Sequence, residues 1–124
     1  MTKAQRALAS AHKLLQDKDG DGTCNRAYYA MFDAARAALI ASKAPVPAEI
    51  AKTHSGLIAA FSLHLVKTGA FPIELGRALN RVEDLRLVAD YKGDSISAEE
   101  AQWAVQQAQA FLEQVNQRFM GAEN

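Results

Sequence analysis

The chain reads as alternating amphipathic stretches with a period near 3.6 residues, broken where glycine and proline gather. The breaks are Gly20 and Gly22, Pro45 and Pro47, Gly69 and Pro72, and Gly93. The first stretch, about 3–17, puts Ala4, Ala7, Leu8, Ala11, Leu14 and Leu15 on one side, with Gln5, Arg6, Lys13 and Gln16 opposite. That is a one-sided helix. The second, about 23–43, is apolar nearly all round: Ala27, Tyr28, Met31, Ala34, Ala35, Ala38 and Leu39 fill one face, and Tyr29, Ala30, Phe32, Ala37 and Ile40 crowd the rest. Only Arg26, Asp33 and Arg36 form a polar stripe. Such a helix is central, or another subunit covers it. A third helix starts between Ala48 and Ser55 and runs to about Lys67, with Leu57, Ile58, Phe61 and Leu65 inward. A fourth starts at Pro72, a favourable first-turn residue, and turns Leu75, Leu79, Val82, Leu85 and Ala89 inward. The fifth opens with Ser97 and Glu100 at capping-box spacing, then carries Ala101, Ala104, Val105, Ala108, Phe111, Val115 and Phe119. The pattern predicts an all-α fold, an up-and-down antiparallel bundle of about five helices forming one domain over 1–124.

Composition narrows the classes. The chain has 124 residues, 49% hydrophobic and 23% charged, enough apolar mass for one core. There is no run of about 18 apolar residues, so no membrane span is expected. The amino-terminal stretch lacks the shape of a signal peptide. A single cysteine, Cys24, excludes an internal disulfide and points to a reducing, cytoplasmic setting. Net charge is zero. Residues 1–62 carry 8 basic and 5 acidic side chains, and residues 63–124 carry 6 and 9. Neither half is a basic arm for nonspecific grip on nucleic acid.

Several clusters carry candidate chemistry. Asp17-Lys18-Asp19-Gly20-Asp21-Gly22 opens like a calcium loop, but its twelfth position is Tyr28 where a bidentate glutamate belongs. A polar interhelix turn is the expected reading. Arg6 and His12 fit a loose Arg-x(4–6)-His spacing, yet both fall on the solvent side of a plain surface helix. In Lys52-Thr53-His54-Ser55-Gly56, Thr53 or Ser55 can cap the third helix. His54 lies on the stripe continued by Leu57, Ile58 and Phe61, the place of a packed, hydrogen-bonded histidine. His64 borders the same stripe. Three dispersed histidines make a poor metal site, so no metal and no cofactor are expected. Arg86 falls one helical period after Leu79 and Val82 and leans inward, with Glu83 three residues before it and Asp90 four after. Two readings stand side by side: a local chain of salt bridges, or an arginine facing a polar cleft beside a carboxylate and the Tyr91 phenol. Trp103 is expected to pack or to lie at an interface.

Asn25-Arg26-Ala27-Tyr28-Tyr29-Ala30-Met31-Phe32 resembles the signature of small stand-alone HEPN-domain proteins of bacteria and archaea. The resemblance continues through Lys52-Thr53-His54-Ser55-Gly56, Val66-Lys67-Thr68-Gly69 and Leu85-Arg86-Leu87-Val88-Ala89-Asp90-Tyr91, in order and over nearly the whole chain. It implies a HEPN helical bundle, a homodimer, and a minimal nucleotidyltransferase as partner in a toxin–antitoxin-like pair. It also implies RNA or nucleotide as ligand. Many such proteins are metal-independent endoribonucleases with an Arg-x(4–6)-His motif, and Arg86 matches that arginine. No histidine follows at the required distance: Asp90 stands at +4, Tyr91 at +5 and Gly93 at +7.

The missing histidine bears on chemistry. Metal-free RNA cleavage needs a base for the 2′-OH and an acid for the leaving oxygen, and an imidazole suits both. A tyrosine with an ordinary pKa near 10 is a slow base at neutral pH. His54 would replace the lost imidazole only if folding brings it beside Arg86. The expected site is therefore Arg86, Asp90, Tyr91 and His54 in a dimer cleft, with Arg26 and Tyr29 behind them. The alternative is a non-catalytic dimeric interaction module in which Arg86 and Asp90 form a structural pair.

Overall fold

The computed structural model describes residues 1–92 and 95–121, with the side chains of Tyr91 and Lys92 outside that description. The described residues contain helices and no strand: α1 (Thr2–Gln16), α2 (Gly20–Ala41), α3 (Ala48–Ala51), α4 (His54–Phe61), a π-helical turn (Ser62–Val66), α5 (Ile73–Lys92) and α6 (Ala98–Phe119). The all-α bundle is as the periodicity predicted. The third helix is the exception. It is split into the single turn α3 and the longer α4, because Thr53 takes an extended backbone and starts a new helix. Beyond Phe61 the chain widens to π geometry, with Lys67 N–H bonding Ser62 O at 2.8 Å. Gly69, at φ +84°, then turns the chain toward α5.

The α2 helix is the axis of the bundle and packs against α1, α4, α5 and α6. Its buried face holds Ala27, Ala30, Ala34, Ala35 and Ala38, and α1 answers with Ala4, Ala7 and Ala11. Small side chains let helix axes approach closely. Tyr28 and Phe32 are buried within this one chain, and Ile40 alone of the large α2 apolar residues projects strongly, 71% exposed. The apolar circumference of α2 is thus mostly covered by its own neighbours, with Ile40 left exposed. A second group, Phe61, Phe71 and Phe111, packs with ring centroids 4.7–5.4 Å apart and ties α4 and the entry to α5 onto α6.

Side chains fix the helix ends, some anticipated from the sequence, as at Ser97–Glu100, and some not, as at Asp19. Asp19 caps α2, its Oδ1 accepting from Gly22 N–H at 2.9 Å, so the calcium-like loop is a helix start. Asp21 Oδ1 accepts from Ile96 N–H, joining the entry of α6 to the start of α2. Ser97 and Glu100 form the reciprocal capping box. No described helix is long and apolar enough to cross a membrane. No group of three His, Cys, Asp or Glu able to hold a metal occurs among the described residues.

Candidate functional site

Three elements converge on Tyr28. From α2 come Tyr28 itself, fully buried, and the neighbouring stripe Arg26, Tyr29, Asp33 and Arg36, whose spacings of three and four keep it on one helical face. From the first turn of α4 comes His54. From α5 come Glu83, Arg86 and Asp90, again on one face.

The α4 start places His54 firmly. Thr53 Oγ1 accepts from Gly56 N–H at 2.9 Å, the cap that the sequence left open between Thr53 and Ser55. A Cβ at position 56 would lie 2.1 Å from Ile50 O and 2.6 Å from Thr53 Oγ1, so only glycine lets this turn close. With the turn closed, the His54 ring stacks on Phe32 at 4.6 Å between centroids, interplanar angle 25°. Its Nδ1 meets the Tyr28 hydroxyl at 2.7 Å.

The Tyr28 hydroxyl also reaches Glu83 Oε2, at 3.4 Å. A carboxylate only accepts, and the phenol has one proton. Both bonds exist together only if Nδ1–H donates to the phenol oxygen and the phenol donates to Glu83. In a neutral imidazole bonded this way, Nε2 carries the lone pair. Burial first, and the Glu83 carboxylate next, push the Tyr28 pKa well above the ordinary phenol value, while Arg86 opposes the shift. Tyr28 therefore stays protonated and orients His54; it is no base itself. On α2 the Cys24 thiol is also buried, which pushes its pKa up to about 12 and leaves it inert.

Arg86 lies on the same tyrosines. Its guanidinium sits 4.7 Å from the Tyr28 ring centroid and 5.8 Å from that of Tyr29. Nη1 donates to Asp90 Oδ2 at 3.2 Å; the arginine side chain is 12% exposed and the aspartate 43%. Arg86 Nε is buried with no hydrogen-bond partner among the described residues. The expected salt-bridge chain is half formed: Asp90 pairs with Arg86, while Glu83 turns to Tyr28 instead. His54 and Arg86, 32 positions apart in sequence, thus meet across one phenol.

Tyr29 continues the site outward. The Arg26 guanidinium lies 5.6 Å from its ring centroid. Beyond it, Lys3, Arg26, Tyr29, Phe32, Asp33, Arg36 and His54 line a concavity of about 370 Å³. The Arg36 guanidinium covers Phe32, 5.0 Å from its centroid. Arg26 and Tyr29 therefore stand beside Arg86 and His54. Tyr91 falls outside the described side chains. Sequence reasoning placed Tyr28 in the core and missed its hydroxyl, and it missed Glu83 as the bond partner of that hydroxyl. The signal available was a tyrosine on an apolar helical face, where a buried hydroxyl must find partners. The other sequence candidates are elsewhere. His12 Nε2 bonds Gln109 Oε1 at 2.9 Å on the exposed α1–α6 surface, and Trp103 is half-buried against the core.

Comparison with known proteins adds kinship to this geometry. The HEPN domain profile matches residues 1–118. A UPF0332 protein of Gloeobacter violaceus is 36% identical over 115 residues, covering 91% of this chain and 87% of that protein. A Methanocaldococcus jannaschii protein named "Putative toxin" is 33% identical, covering 90% and 80%. A UPF0332 protein of Thermotoga maritima is 34% identical, covering 91% and 83%. No solved structure matches the chain.

Proposed function

The chain belongs to the HEPN domain family, and on that premise we propose that it is the HEPN member of a toxin–antitoxin-like pair. In this reading its partner is a minimal nucleotidyltransferase, its ligand is RNA or a nucleotide, and it works in the cytoplasm as a homodimer. One observation carries the reading: His54 and Arg86 rest against the same buried tyrosine. In this reading His54 of α4 supplies the imidazole that the Arg86 segment lacks in sequence. The name of the archaeal relative agrees with a toxin-like role.

The site supports a division of labour. Glu83 and Tyr28 hold the His54 tautomer, as a second acceptor holds the imidazole in other acid–base sites. Arg86 supplies positive charge, and its partner Asp90 fixes the guanidinium while leaving Nε unbonded. Bound RNA would present its phosphate to cationic donors and its 2′-OH to His54 Nε2. Ribonuclease activity is a subsidiary proposal, because it requires His54 to act from outside the usual motif spacing. A second reading, a non-catalytic dimeric interaction module, is favoured by the near-complete burial of Arg86 and its pairing with Asp90.

Expression in a bacterial host tests the main reading. Growth should stop when the chain is expressed alone and resume when a minimal nucleotidyltransferase from the same genome is co-expressed. The two should also co-purify, and light scattering should give a dimer mass at micromolar concentration. Unimpeded growth together with no complex would refute the pairing. A monomer mass would refute the dimer.

A further inference from the structure

We propose that the concavity between α1, α2 and α4 is a phosphomonoester-binding site, taking the terminal phosphate of a mononucleotide or of an RNA end. The proposal deepens the RNA- or nucleotide-binding reading and rests on it.

Charge comes first. Lys3, Arg26 and Arg36 line, with one carboxylate, Asp33, a cavity of about 370 Å³. The balance is two positive charges with His54 neutral. A phosphomonoester carries about −1.5 to −2 at pH 7, whereas an internal phosphodiester carries one charge. The volume is at the small end of ligand pockets, roughly 300–1,000 Å³, which suits one nucleotide and not a strand.

The state of the two arginines is the stronger argument. Both are half-buried, and each lays its guanidinium against an aromatic ring: Arg26 at Tyr29, Arg36 at Phe32. Neither has a hydrogen-bond or ion-pair partner among the described residues, although Asp33 shares their helical face; the one salt bridge described is Arg86–Asp90. Stacking fixes a guanidinium in place without using its N–H groups. Two arginines held in this way present donor forks that match the oxygens of a phosphate. Lys3 adds a point charge from α1. His54, on the rim, offers Nε2, because Nδ1 is committed to Tyr28. Tyr29 connects this pocket to Arg86, since both Arg26 and Arg86 lie on its ring.

The test follows the arginine Nε–H signals of the intact chain by NMR, wild type and variants. The probes are a 5′-mononucleotide, the corresponding nucleoside, and an oligoribonucleotide with and without a 5′-phosphate. The mononucleotide should shift the Arg26 and Arg36 signals and the nucleoside should not. Arg36→Ala and Arg26→Gln should each weaken mononucleotide binding roughly 10- to 100-fold, the range for one lost charge-assisted bond. Stronger binding of the phosphorylated oligonucleotide than of the mononucleotide would identify an RNA end as the source, and the reverse would identify a free nucleotide. Equal shifts from the nucleoside would overturn the phosphate site. So would RNA binding that survives Arg26→Gln and Arg36→Ala but fails in Arg86→Ala; that result would leave the RNA-binding reading intact. Silence of every probe on wild-type protein would overturn both.

Discussion

Replacing Arg86 with alanine separates a ligand-binding arginine from a structural one. The structural reading takes Asp90 to be a carboxylate that is stranded when its partner goes, a loss of about 3–5 kcal/mol where the site is buried. The structure removes that condition, because Asp90 is 43% exposed and water can take the place of the guanidinium. An exposed i,i+4 pair is worth about 0.3–0.5 kcal/mol. The guanidinium lies 4.7 Å from the Tyr28 centroid in a largely desolvated place, a contact of about 1–2 kcal/mol. Partial burial of the arginine stem adds about 1 kcal/mol. Against these losses of about 2–4 kcal/mol stands the relief of a buried, unbonded Nε, worth about 1–3 kcal/mol. The net cost is about 1 kcal/mol, or a fall in Tm of about 4 °C for a domain of this size. Affinity for a labelled oligoribonucleotide should fall roughly 10- to 100-fold if Arg86 meets a phosphate. Urea and thermal melts, paired with fluorescence anisotropy, measure both quantities on one preparation. Destabilisation above about 3 kcal/mol with unchanged RNA affinity would refute the reasoning and assign Arg86 to the scaffold.

Other outcomes follow from the same network. Tyr28→Phe should cost about 1–2 kcal/mol in urea unfolding, because half-buried His54 Nδ1 loses its partner; a neutral result would mean that the 2.7 Å bond contributes nothing. Gly56→Ala should destabilise by about 1–3 kcal/mol and shift the His54 ring signals in NMR, since the new Cβ meets Ile50 O; unmoved His54 signals would show that the turn does not place the ring. Burial raises the Cys24 and Tyr28 pKa values above their ordinary 9.0 and 10.0, so the folded chain holds protons that the unfolded chain releases. Stability is then full below about pH 9 and falls as pH climbs toward 12; a Tm that stays level from pH 8.5 to 11 would contradict this, and Cys24→Ala should flatten the slope. Asp19→Ala should cost about 1 kcal/mol as a lost cap, with calcium calorimetry flat for wild type and variant alike; a micromolar site abolished by the change would disprove the cap assignment.

Local rules were enough for most of the architecture. A 3.6-residue apolar period, Pro72 before α5 and the Ser97–Glu100 box specify helices whatever they pack against, because those signals act within one or two turns. The division of α3 from α4 was hidden. It depends on a backbone turn that closes only when residue 56 lacks a side chain, and the glycine read equally well as part of a helix start.

The candidate site divides along the same line. The sequence by itself determined that Arg86 leans inward and reaches Asp90, since a pair four residues apart on a helix needs no tertiary contact. It also determined that Arg26, Asp33 and Arg36 share a face of α2. Only the tertiary structure decided what those groups meet. The packing of α4 and α5 against α2 brought His54 and Arg86 to the same tyrosine and drew Glu83 away from Arg86 to a phenol, and the packing of α1 put Lys3 in the cavity that Arg36 lines. Packing likewise covered most of the apolar girth of α2 from within the chain, leaving Ile40 exposed. Periodicity records which side of each helix is apolar; helix packing chooses the facing partner, and at Tyr28 a buried hydroxyl had to bond whatever polar groups that packing supplied.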